Sequence, residues 1–363
     1  MPLARPYVLS RGTVSSFKNI VVKVHTEEGP VGLGECDVLS VTGDIDDACR
    51  RLEELAGRVI GMDPFDIEAV IARLEAPLQP DLGVVAAFDI ACWDLAGKLA
   101  GMPAYKLLGG EVQARIPVDF TLGQDEPEAM GRRAQTMREE WGFGGFCVKV
   151  GGHGPLEDDV ARVRTVREML GAEPKLRLDV NGAFDLDSAI DFLHRVEPFD
   201  VEFVEQPLAA GDLDGLRRLA AEVSIPISVD EGLRTLDDAF RLAGSGAVSV
   251  FNIKIPRCGG IHLGKKIAAV AEAAGIDWVC GGGLAFEIVR QASRHFAVST
   301  PARAQRRYHH EGPGPASQGL LADVVKPVVT YADVAHAGGT VGVTDLPGLG
   351  IEEDAESLAR YRE

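Results

Sequence analysis

KLRLDVNGAFDLDSAIDFLHRVEPFDVEFVEQPL, residues 175–208, reads as a single strand–helix–strand unit. KLRLDV is a short β-type run ending at Asp179, a helical pattern with a cap signal at Asp187-Ser188 occupies 186–195, and VEFVE (201–205) ends on Glu205. Strands alternating with helices imply parallel strands joined by right-handed crossovers. Both acids then stand at the carboxyl ends of neighbouring strands.

The same unit recurs on either side. FCVK ends on Lys149, IPISVD on Asp230 and VSVFNIK on Lys254, so that Lys149, Asp179, Glu205, Asp230 and Lys254 follow one another at gaps of 30, 26, 25 and 24 residues. Strands are expected at 115–122, 145–150, 175–180, 201–205, 225–230, 247–254, 276–281 and, less regularly, 304–309. Helices are expected between them at 157–170, 186–195, 212–222, 235–243, 260–274 and 284–297. Eight such units close a β/α barrel, whose active site lies at the carboxyl ends of its strands. Taken singly, each acid could cap a helix or pair with a surface lysine. As a spaced set, three carboxylates suit a hard divalent cation, with a lysine to each side.

Ahead of the barrel the pattern differs. NIVVKVH (19–25) and VGLGEC (31–36), separated by EEGP, predict a hairpin; helical patterns follow at 45–59, at 65–75 after Asp63-Pro64, and at 84–110 with a break at Gly101-Met102-Pro103. The expected organisation is an α+β capping domain over 1–112, completed by a C-terminal tail from about 325 to 363, on a barrel over 113–324. The fold class is α/β, a modified TIM (β/α)7β barrel with an α+β cap.

Composition narrows the function. A net charge of −18 excludes a nucleic-acid partner driven by clustered basic residues, and no apolar run approaches membrane-spanning length. MPLARPYVLS lacks the apolar core of a signal peptide, which points to the cytoplasm. The six cysteines have no CxxC or zinc-like spacing and read as reduced, mostly core-filling thiols. An anionic substrate would be met by local positive charge from a metal and the lysines.

The chain resembles the enolase superfamily, and within it the muconate-lactonizing subgroup of the mandelate racemase/muconate lactonizing enzyme family. The matching stretches are AxDxAxWDLxGK (87–98), KVGG (149–152), DVNGAF (179–184), VEQPL (204–208), SVDEGL (228–233), NIKIPRCGG (252–260) and PGLGIEED (347–354). The resemblance implies Mg²⁺, with Mn²⁺ as a substitute, held by Asp179, Glu205 and Asp230, and Lys149 and Lys254 as acid/base groups on opposite faces of a small carboxylate substrate. The ion would stabilise the enolate left when an α-proton departs. A base at neutral pH needs a lowered pKa, so one of the lysines is expected to be neutral. Asn181, Gln206 and Glu231 are expected to orient ligands or waters, with Glu231 also tuning Lys254. Asp89 and Trp93 should hold the interface between domains, His295 reads as packed structure, and a homo-oligomer is implied.

Several residues depart from the family pattern. The usual Lys-x-Lys on the second strand is Cys147-Val148-Lys149, and Cys147 is read as a neutral thiol beside the site or a substrate contact. The seventh strand, DWVCGGGLAFE, lacks the histidine of the mandelate racemase subgroup and the usual side chains of the pocket. RRYHHEGPG (306–314) lacks the paired aspartates that hold a dipeptide's ammonium group; His309 and His310 would point to opposite faces of a strand, so joint metal ligation is disfavoured. MPLARPY lacks the family's usual preceding strand, and Tyr7 to Phe17 is expected to be a loop closing over the barrel, offering Tyr7 and Arg11 to substrate. Two facing lysines favour racemisation or epimerisation of an N-modified or proline-like amino acid. Elimination of water from a hydroxyproline or hydroxy acid and cycloisomerisation share the first step, and a non-catalytic binding protein is the alternative of another class.

Overall fold

The computed structural model describes residues 2–27, 29–38, 44–75, 81–301, 329–331 and 338–361. The first segment carries two antiparallel hairpins, β1 (Pro2–Leu9) with β2 (Gly12–Ser16) and β3 (Asn19–His25) with β4 (Val31–Asp37). Helices α1 (Ile45–Val59), α2 (Ile67–Glu75), α3 (Leu82–Ala100) and the short α4 (Ala104–Leu107) follow. Helix α3 is apolar on nearly every side and is buried accordingly. Strand β4 lies close against it: a Cβ on Gly32 would sit 2.3 Å from the Ala91 carbonyl oxygen, and one on Gly34 only 1.9 Å from that of Ala87. The two glycines of VGLGEC are therefore a packing requirement. Gly101, in the left-handed conformation at φ 66°, ends the helix as its sequence predicts.

From residue 116 the chain alternates as expected. The elements are β5 (Ile116–Pro117), β6 (Asp119–Leu122), α5 (Pro127–Trp141), β7 (Gly145–Lys149), α6 (Leu156–Leu170), β8 (Lys175–Asp179), α7 (Leu186–Val196), β9 (Val201–Glu205), α8 (Leu213–Glu222), β10 (Ile227–Val229), α9 (Leu236–Ser245), β11 (Val250–Ile253), α10 (Ile261–Ala274), β12 (Asp277–Cys280) and α11 (Glu287–Val298). Strands β6 to β12 form one parallel sheet in strict chain order, curled into most of a barrel. The strand expected at 304–309 lies outside the described residues. Helix α7 is capped by Asp185, whose carboxylate accepts from the Ser188 amide at 2.8 Å, rather than by Asp187-Ser188.

One element was misread. The expected loop from Tyr7 to Phe17 is a hairpin turning at Ser10-Arg11, with Leu9 paired to Gly12 and a first strand over Pro2–Leu9. Its mixture of hydroxyl, charged and β-branched residues hides the period of two. In the described part of the tail, Leu349 donates to Asp94 at 2.9 Å, and Glu353 pairs with Lys23 of β3. No helix among the described residues is long and apolar enough to cross a membrane.

Buried acids join the first segment to the barrel. Asp89 of α3 accepts from the Ile261 amide at 2.5 Å and from His262, so it caps α10 from another part of the chain. Glu35 of β4 accepts from the amides of Phe286 and Val289 at the start of α11. Asp94 gathers the Leu33 amide at 2.9 Å, Lys98 at 2.8 Å and the tail. Burial pushes Asp89 and Glu35 each up to about 7, against the amides that favour their charge. A carboxyl whose pKa is higher folded than unfolded binds more protons in the folded state between the two values, so its contribution to stability falls as pH rises from about 4 to about 7. Asp89→Asn keeps an acceptor without the titration. Its melting temperature relative to wild type is expected to rise between pH 5 and pH 7.5; a constant difference would show that Asp89 does not titrate there.

Candidate active site

Strand register assembles the site. Lys149 pairs with Asp179, and Asp179 with Glu205, across β7, β8 and β9, so the three side chains stand side by side on one face of the sheet. Glu205 is in register with Ser228 of β10, and Asp230 follows two residues later on the same face. Lys254 leaves the end of β11, two residues beyond Asn252. All five residues singled out by spacing come together at the carboxyl end of the sheet. The three acids are at most 1% exposed, whereas the Lys149 and Lys254 side chains keep 11% and 17% of their surface. The amines thus reach toward the mouth from opposite sides of the acids.

Each charge has a definite partner. Lys149 is ion-paired with Asp179 and lies 3.3 Å from the Asn181 oxygen. Lys254 donates to Asp230 at 2.7 Å, and Arg257 grips the same carboxylate with both terminal nitrogens. Burial works against ionisation of Lys149, but the charge of Asp179, with that of Glu205 behind it, holds its pKa well above the ordinary lysine value. Asp179 thus favours the charged form of Lys149. Burial and the Glu205 charge raise Asp179. Burial also opposes the charge on Asp230, yet Arg257 and Lys254 hold it far below the usual carboxylate range.

Asn181, Gln206 and Glu231 lie beside the acids. The Asn181 amide donates to Asp179 at 2.8 Å, and its side-chain nitrogen bridges Asp179 and Glu231 at 3.2 Å each. The Gln206 oxygen accepts from the amides of Asp230 and Gly232 at 3.0 Å, while its nitrogen donates to the Leu208 carbonyl. Both Asn181 and Gln206 have positive φ, 49° and 40°, a strained conformation typical of functional sites. Glu231 pairs with Arg11 at 3.2 Å and with Asn181, not with Lys254, which is taken by Asp230. Lys254 reaches Glu231 only as a nearby charge.

The β1–β2 hairpin lies across this end of the barrel. The Val8 carbonyl accepts from the Gln124 amide at 3.0 Å, the Leu9 carbonyl lies 2.9 Å from His153, and Arg11 reaches Glu231. Tyr7 packs its ring over Gly123. Cys147 is fully buried beneath Lys149, in register with Arg177; burial and then Asp179 push its thiol well above the ordinary value. No part of the thiol reaches the surface. His295 accepts from the Tyr105 amide at 3.1 Å and is packed structure. His309 and His310 lie outside the described residues.

Two contributors escaped the sequence reading. Asn252 donates to Glu205 at 2.8 Å, and its position two before Lys254 on one strand was a readable signal. Arg257 sits in the turn after β11, where no periodicity applies. The donor set itself suits a hard divalent cation: three buried carboxylates at adjacent strand ends, where burial and then the Glu205 charge raise Asp179. Asp179 is turned to Lys149, Glu205 to Asn252 and Asp230 to Arg257, so among the described residues no three ligands enclose one ion position. Removing a partner from a buried ion pair leaves an uncompensated charge. Arg257→Met is expected to cost about 3–5 kcal/mol in urea unfolding of metal-free protein; a loss below about 1 kcal/mol, the size of an exposed pair, would refute the burial of this contact.

Comparison with known proteins places the chain in a family. Residues 1–109 match the mandelate racemase / muconate lactonizing enzyme N-terminal domain, and residues 129–357 match the enolase C-terminal domain-like family. N-succinyl-L-Arg/Lys racemase of Bacillus cereus is 32% identical over 362 residues, covering 99% of this chain and 94% of that protein. The dipeptide epimerase of Enterococcus faecalis, crystallised with Mg and the dipeptide L-Leu-L-Tyr, matches with TM-score 0.88 and 32% identity over 97% of each chain. Muconate lactonizing enzyme of Pseudomonas fluorescens, complexed with muconolactone, matches with TM-score 0.90 and 29% identity over 100% of this chain and 96% of that one. By its two matching domains and by these relatives, the chain is an enzyme of the enolase superfamily and belongs to the mandelate racemase/muconate lactonizing enzyme family.

Proposed function

We propose that the protein racemises or epimerises an amino-acid derivative by moving the proton α to its carboxylate between Lys149 and Lys254. The observation that carries this reading is the placement of the two amines, one at each end of a row of three buried acids, both partly open to the mouth. Asp179, Glu205 and Asp230 are the residues that would hold a divalent cation, Mg²⁺ with Mn²⁺ as substitute. Bound there, the cation supplies electrostatic stabilisation of the negative charge that gathers on the substrate carboxylate.

Every other step belongs to this chain. One lysine takes the proton from one face, and the other returns a proton to the opposite face, which inverts the centre. A lysine must be neutral to act as base, so Asp179 or Asp230 must relax its hold on the amine before that half-reaction. Asn181 and Gln206 keep Asp179 and Asp230 oriented while the amines move, because each also binds through backbone groups. The β1–β2 hairpin and the buried acids around the mouth exclude water from the carbanionic charge.

N-modified amino acids are the preferred substrates, and the relatives named above include both a racemase of that kind and a dipeptide epimerase. Five buried thiols suit a reducing compartment such as the cytoplasm. A homo-oligomer is part of the same reading, and light scattering measures it.

The test is a panel of N-acyl amino acids, cyclic imino acids and dipeptides in D₂O with Mg²⁺, followed by mass and chirality. Solvent deuterium should enter the α position with inversion and without loss of water; stoichiometric water loss would assign elimination instead. Lys149→Ala and Lys254→Ala should each lower inversion by about 10³-fold, within the range for loss of a general base, while retaining α-exchange of one stereoisomer. Retention of full inversion by either variant would overturn the two-base mechanism. Chelation by EDTA should abolish exchange, and Mg²⁺ should restore it.

A further inference from the structure

The strand after Lys254 ends in an unusual run, Gly281-Gly282-Gly283, and the first of these glycines faces the site. The Gly281 amide donates to the Ile253 carbonyl at 3.0 Å, which continues the β11–β12 ladder one residue past Cys280. A Cβ at this position would lie 2.0 Å from the Asn252 side-chain oxygen and 2.8 Å from Cγ of Lys254. Both side chains therefore cross the bare face of Gly281 on their way to the acids.

Asn252 is fully buried, and its orientation is dictated by Glu205. Only the amide nitrogen can donate to a carboxylate, so the oxygen must point the other way, toward Gly281. Among the described residues that oxygen has no hydrogen-bond partner. A buried amide that leaves one end unsatisfied to keep the other end on a single carboxylate oxygen is held for the sake of that carboxylate.

We infer that Asn252 and Gly281 form a positioning pair, in which Asn252 fixes the Glu205 carboxylate and Gly281 clears the track along which the Lys254 side chain reaches the substrate. The pair rests on the proposed roles of Glu205 and Lys254. It adds that the sixth and seventh strands set the metal-facing acid and one of the two bases through a single contact. Lys149, on the far side of the row, is untouched by it, since its neighbours are Asp179 and Asn181.

Three variants test this: Asn252→Ala, Gly281→Ala and the double variant. Mn²⁺ affinity is read by electron paramagnetic resonance, and α-proton exchange in D₂O is read with N-succinyl-L-arginine and its D enantiomer as probes. Asn252→Ala should weaken Mn²⁺ about tenfold, the lower end of the range for loss of a group that orients a ligand. Gly281→Ala should slow exchange of the one enantiomer that Lys254 deprotonates by about 10²-fold, the effect of misplacing a reacting group by about 1 Å, and leave the other within about threefold. The double variant removes the Asn252 oxygen but leaves the new methyl 2.8 Å from Cγ of Lys254, so it should combine the weakened Mn²⁺ affinity with the slowed exchange of that one enantiomer. Wild-type Mn²⁺ affinity in Asn252→Ala, or equal slowing of both enantiomers in Gly281→Ala, would overturn the pair. If Gly281→Ala does not fold, Asn252→Ala decides by Mn²⁺ affinity. If the wild type exchanges neither probe, those probes fail as substrates for the proposed function, and the Mn²⁺ titration still decides the pair.

Discussion

The site depends on the alignment that a parallel sheet imposes on its strand ends. Register sets Lys149, Asp179 and Glu205 on adjacent strands at one level, and carboxylates buried at that spacing repel one another strongly. Nothing nearby is wet enough to screen them, so each must find a positive or donating partner. Lys149, Asn252, Lys254 and Arg257 supply those partners. The same need for compensation suits the acids to a divalent cation and keeps the amines within reach of a substrate.

A second set of buried acids performs a different task. Asp89, Asp94 and Glu35 all accept backbone amides from elements distant in sequence, and two of them satisfy the open N-termini of barrel helices. Helix ends that would otherwise need local caps are closed by the first segment. The mouth of the barrel and the strands that cover it are consequently held as one piece, with the β1–β2 hairpin pinned by Val8, Leu9 and Arg11. Closeness of approach is set by glycine, at Gly34 against α3 and at Gly281 against Asn252.

Much of this was legible beforehand because it has a period. Seven strands and six of the barrel helices were placed within a few residues, since strand ends repeat near 25 residues and apolar faces repeat within each element, whereas helix α5 (Pro127–Trp141) was not called. Motifs that reach from one part of the chain to another, such as Asp89 in AxDxAxWD, were legible through family resemblance. The β1–β2 hairpin was not, because its residues alternate poorly. The partner of Glu231 was also misjudged, since adjacency to Asp230 in sequence says nothing of which cation arrives from another strand.

By itself the sequence determined the parallel barrel, the five strand-end residues and the hard-oxygen character of the acid set. Those follow from local rules: side-chain period, chain order of strands and the chemistry of each residue type. Tertiary structure alone decided how the charges are shared. Arg257 and Lys254 fall on Asp230, Arg11 and Asn181 on Glu231, and Asn252 spans from Glu205 to the bare face of Gly281. Such choices turn on distances of an ångström or less between groups far apart in the chain. Electrostatic and steric energies change steeply over that distance, while sequence spacing does not register it.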